Sequence, residues 1–132
     1  MMEKKLEQLN EWFGKQITSC GEAHQKLLAD DRTDEANFEK IKSNVYDIFH
    51  TILTVAVKTG KGDASTVKRF FQQKTEQIPA NWVTAYNKAK ENGNAEQMLI
   101  ESIKLDTIQE IKQKFSEIWG KQNEGSGGYS TF

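Results

Sequence analysis

From Phe38 to Gly60 the chain reads Phe-Glu-Lys-Ile-Lys-Ser-Asn-Val-Tyr-Asp-Ile-Phe-His-Thr-Ile-Leu-Thr-Val-Ala-Val-Lys-Thr-Gly. Apolar residues return every three or four positions, the period of a helix rather than a strand. Phe38, Ile41, Val45, Ile48, Phe49, Ile52 and Ala56 form one face, expected to point inward. A second stripe, Tyr46, His50, Leu53 and Val57, lies toward the other side. Thr33-Asp34-Glu35 supplies a capping residue and acids for the first turn, and Thr59-Gly60-Lys61-Gly62 supplies the stop.

The same period runs outward in both directions. Leu6, Leu9, Phe13, Ile17, Cys20, His24 and Leu27 make one face of a first helix, from about Lys4 to Leu28, ended by Ala29-Asp30-Asp31-Arg32. After Gly62, Asp63 or Ser65 can cap a third helix carrying Val67, Phe70, Phe71 and Ile78. Pro79 is expected to break or kink it, since proline lacks the N–H and disfavours a helical residue before it. A shorter segment with Trp82, Val83, Tyr86 and Ala89 follows, closed by Asn92-Gly93. Asn94-Ala95-Glu96-Gln97 has capping-box spacing, and Ile100, Ile103, Ile108, Ile111, Phe115, Ile118 and Trp119 line a last helix ending at Gly120. Four of the nine glycines lie from Gly120 onward, so a flexible Gly/Ser-rich tail is expected over residues 121–132. The predicted fold is all-α: residues 1–120 form an antiparallel bundle of three long helices, with the Pro-kinked third segment supplying a fourth.

Composition sets limits on function. A chain of 132 residues holds one ordinary domain. Its net charge of -1 excludes a histone-like mass of positive charge, and a single proline leaves few places to break helices. One cysteine cannot form an internal disulfide. No apolar run reaches signal-peptide or membrane-span length; the densest, from Ile52 to Val57, is far too short. A soluble, cytoplasmic protein with no membrane span is expected.

Few residues suggest chemistry. His50 opens the run His50-Thr51-Ile52-Leu53-Thr54-Val55-Ala56-Val57-Lys58-Thr59-Gly60, which partly resembles the phosphoacceptor helix of histidine-phosphotransfer domains, themselves helical bundles of similar length. Ile52 and Gly60 match that pattern. Leu53 and Thr54 stand where it has Lys and Gly, so the group that would neutralise a phosphate and the room for a partner are both missing. His24 falls on the first helix's apolar face, as a neutral core histidine with one hydrogen-bond partner would. Without a Glu-x-x-His pair, a di-iron bundle centre has no ligand set. Cys20 shares the face with His24 and reads as a small buried hydrophobe. No catalytic constellation and no cofactor fingerprint stands out, so a non-enzymatic protein without cofactor is expected.

Three functional readings remain. The first is a small binding protein, an adaptor, inhibitor or immunity-type protein, that contacts a protein partner or pairs as a homodimer. Its candidate contact residues are Tyr46, His50 and Val57, with Tyr129 and Phe132 at the tip of the tail. Helical bacteriocin-immunity proteins, which pair a compact bundle with a mobile C-terminal tail, are similar at the level of fold. Met98 and Leu105 are further surplus apolar positions. The second reading is a nucleic-acid or anion binder. From Lys58 to Lys90 seven bases against two acids leave a local charge of +5, with Phe70, Phe71, Trp82 and Tyr86 interleaved. Lys61, Lys68, Arg69 and Lys74 are its candidate contacts, beside a glycine-rich turn entering a helix. The third is a phosphotransfer-like module at His50.

Overall fold

A computed structural model describes residues 2–120. Tyr129 and Phe132 lie outside the described residues. Four helices follow one another: α1 (Met2–Ala29), α2 (Thr33–Gly60), α3 (Ala64–Glu91) and α4 (Ala95–Phe115), the last continued by a π-helical turn over Ser116–Gly120. They form an all-α antiparallel bundle, and no strand occurs among the described residues.

Three-residue turns force each helix to return along its predecessor. At the first turn Asp31 takes the left-handed conformation (φ 60°). Arg32 N–H then reaches back to Leu27 O at 2.8 Å, closing a Schellman-type end. Gly93 (φ 69°) does the same between α3 and α4, with Asn94 N–H on Ala89 O at 2.8 Å. The helix starts vary. Asp63 caps α3 by accepting from Thr66 N–H, and Asn94 caps α4 by accepting from Gln97 N–H at 3.1 Å. The Asn94 capping box is only half made, because the Gln97 side chain donates forward to Glu101 instead. Thr33 is not the cap of α2; Arg32 holds that position, its side chain capping no backbone N–H but donating to the Glu35 carboxylate at 2.6 and 2.7 Å.

The expected break at Pro79 does not occur. α3 runs for 28 residues with Pro79 inside it. A proline in a helix interior costs about 3 kcal/mol, and packing on both sides offsets that cost. Val67 and Phe71 before it are buried, Ile78 and Trp82 around it pack on the core, and Pro79 itself is buried.

Aromatic rings link the helices through the core. Phe71 of α3 stacks on Phe115 of α4 at 4.4 Å between ring centroids, and Phe115 stacks on Trp119 at 5.4 Å. Phe49 of α2 meets Phe71 and Trp82 edge-on at 6.3 and 6.4 Å. α2 packs against all three other helices, whereas α1 leans chiefly on α2 and on the π turn. Lys5 Nζ donates to Trp119 O at 3.2 Å and fastens that turn to α1.

Two features strain against this packing. Gly60 ends α2 against α3, and a Cβ there would lie 2.6 Å from Val67 Cγ2 and 3.3 Å from Val67 N. Glu101 of α4 is only 4% exposed. Its Oε2 accepts from Gln97 at 2.6 Å, while Oε1 has no hydrogen bond and lies 3.5 Å from Lys104 Nζ.

The close approach at Gly60 outweighs the roughly 1 kcal/mol by which Ala exceeds Gly in a helix. Gly60→Ala is expected to lower stability by about 1–2 kcal/mol in chemical denaturation. Adding Val67→Ala should remove most of that difference in a double-mutant cycle. Replacing both partners of this pair, Glu101→Met together with Lys104→Leu, is expected to raise stability by about 1–3 kcal/mol, read as a higher midpoint at unchanged slope.

Candidate functional site

The circumference of α2 decides what this bundle can present. At 100° per residue, Val45, Tyr46, Phe49, Leu53, Ala56 and Gly60 fall on one side, and all six are buried. This face is rotated from the one the apolar count favours. It takes in Tyr46 and Leu53 from the expected second stripe and leaves Ile48 outside. The reason is α1, which covers the flank that carries Tyr46, His50 and Val57.

Tyr46 is therefore enclosed by the neighbouring helices. It is 2% exposed. Its ring meets Trp12 of α1 edge-on at 5.6 Å, and its hydroxyl donates to Glu110 Oε1 of α4 at 2.8 Å. Burial, with the Glu110 carboxylate second, pushes the phenol well above its ordinary value. Val57 is half-buried and packs against the core. His50 is half-buried too, stacked on Phe13 at 5.2 Å with the rings 11° apart. Its Nε2 lies 3.0 Å from Asn10 Oδ1. That contact spans the α1–α2 seam. His24, also half-buried, has one partner, its Nδ1 2.8 Å from Ala36 O. Cys20 is buried, and burial raises its thiol above the usual value, the opposite of an activated nucleophile.

The basic residues do not converge. Lys68, Arg69 and Lys74 are one, five and six positions apart, none of them a step that shares a helix face. Lys74 Nζ lies over the Phe70 ring at 5.4 Å. The start of α3 already holds an anion of its own. The Asp63 carboxylate accepts from Thr66 N–H and Thr66 Oγ1, and the hydroxyl contact holds its pKa below the usual range. Lys61, in the left-handed region at φ 47°, is exposed beside it. Met98 and Leu105 are half-buried on α4. Among the described residues no group of three His, Cys, Asp or Glu side chains could hold a metal ion.

The strip that remains open on α2 is a different one. Asn37, Ile41, Asn44, Ile48, Ile52, Val55 and Thr59 follow at steps of four and three and share one face. None is charged. Ile48 is 40% and Val55 43% exposed, with half-buried Ile52 between them. Reading Ile48 as core hid this strip. The signal available in the sequence was the charge-free row itself, since ordinary solvated faces carry Lys and Glu.

Tyr46 supplies a pH test. Its folded pKa is raised above the unfolded value near 10. The stability linked to it is present below pH about 10 and is lost as pH rises further. Unfolding free energy is expected to fall above pH about 10 in the wild type. Tyr46→Phe should flatten that fall while costing about 0.5–1.5 kcal/mol at neutral pH.

Compared with known protein families, curated proteins and solved structures, the chain matches none, so a functional reading has to stand on these residues alone.

Proposed function

We propose that this chain is a small, non-enzymatic helical binding protein of adaptor, inhibitor or immunity type, working in the cytoplasm through a protein interface on the outer strip of α2. One observation carries the reading: a charge-free row with exposed Ile48 and Val55 on the helix that already packs against every other helix. Singly exposed apolar residues are ordinary, but an aligned row of β-branched ones interrupted only by Asn and Thr fits a contact surface. No helix among the described residues is long and apolar enough to cross a membrane. The nucleic-acid reading has the weaker support, because Lys68, Arg69 and Lys74 share no face. The phosphotransfer reading is weakened by the engagement of His50 with Asn10.

A tagged chain and its Ile48→Lys/Val55→Lys double variant can be compared in affinity capture from native lysate at low and high salt. Both positions are exposed, so the variant should keep its thermal midpoint within a few degrees. A protein partner retained by the wild type at high salt and reduced at least about tenfold by the variant is the expected result. Equal retention by both, or capture of nucleic acid that is lost at high salt, would overturn the reading.

A further inference from the structure

The geometry points to a second copy of this chain as an occupant of the α2 strip, docked antiparallel to α2 about a two-fold axis near Thr51 and Ile52. This assignment rests on reading the strip as a contact face, and it names the partner. The argument is charge complementarity on a face that is otherwise neutral. Beside the strip, on the solvent side, runs a row of exposed residues: Lys40, Asp47, Thr51 and Lys58.

If two α2 helices pair antiparallel about the midpoint of Thr51 and Ile52, Ile48 of one copy faces Val55 of the other. Asn44 faces Thr59. In the flanking row, Lys58 comes opposite position 45 of the second copy, about 3 Å along the axis from its Asp47. That offset is within reach of a lysine side chain, and the symmetry makes the ion pair twice. A parallel two-fold pairing would set the two flanking rows on opposite sides of the seam, so neither Lys58–Asp47 pair could form. The pattern therefore selects one orientation as well as one face, as closed two-fold dimers require. No ion pair within the chain links either Asp47 or Lys58 to another described residue.

Size sets the strength. From Ile41 to Thr59 the strip runs about 27 Å, and a helix is about 10 Å wide. That gives about 300 Å² per copy, below the roughly 800 Å² per partner of a standard stable interface. A dimer built on this strip alone is therefore of the weak, transient kind.

Sedimentation equilibrium of the full chain from about 10 µM to 1 mM reads this directly. The wild type is expected to pass from monomer to dimer across that range, and Ile48→Lys to stay monomeric. Lys58→Asp alone should weaken the dimer about three- to tenfold at low salt. Adding Asp47→Lys to it should restore the wild-type constant within about twofold. A wild type monomeric at 1 mM overturns the second-copy assignment. So does a dimer indifferent to Ile48→Lys, or a charge swap that fails to restore association. A monomeric chain whose captured partner is nevertheless lost in Ile48→Lys/Val55→Lys would leave the contact face standing with a different occupant. A monomer whose capture is unchanged would remove both.

Discussion

Phe71 is the side chain on which the arrangement turns. Its ring stacks on Phe115 and meets Phe49 edge-on, so one residue of α3 ties α2 and α4 together. Through Phe115 the contact extends to Trp119 and the π turn. Aromatic pairs of this kind fix relative angles as well as distances. Once α2, α3 and α4 are set about these rings, α1 can cover only one of the two flanks of α2 that are left.

That division explains which residues are silent and which are open. The flank under α1 becomes a semi-polar seam. Trp12 packs on Tyr46, Phe13 stacks on His50, Asn10 meets His50, and His24 meets the backbone of Ala36. Each histidine there has one ring nitrogen engaged, His50 by Asn10 and His24 by the Ala36 carbonyl. The other flank has no fifth helix to cover it among the described residues. Its lack of charge would be a liability on a surface with no role, since solubility favours interspersed charge.

Much of the fold could be read from residue order. Asp63, Asn94, Gly93 and the Gly60-Lys61-Gly62 turn all mark helix ends because capping is local chemistry. Pro79 does not break α3 because its local penalty is outweighed by Val67, Phe71, Ile78 and Trp82, which belong to one core and are worth more together than one lost hydrogen bond. The faces of α2 misled for a related reason. Three apolar stripes compete on that helix, and periodicity ranks them by apolar content without saying where neighbours lie. Tyr46, with a hydroxyl, scored as surplus, but Glu110, far along the chain, lets its hydroxyl be buried. Ile48, fully apolar, scored as core and is exposed. Pairing across 64 positions is not visible to any local pattern.

The clasp from Lys5 to the carbonyl of Trp119 has a topological consequence. Two segments more than a hundred residues apart in order are neighbours in space, so the path of the chain through the bundle is nearly a ring. In such a ring the order of the helices is set by which of four junctions is left open, and the packing is indifferent to that choice. A circular permutant opened at Asp30–Arg32 and joined across the clasp would keep each helix beside the neighbours it has now. It would also free the end of α2 where Asn37 begins the strip. The same bundle could then be attached to another protein from the opposite end without changing which face it shows.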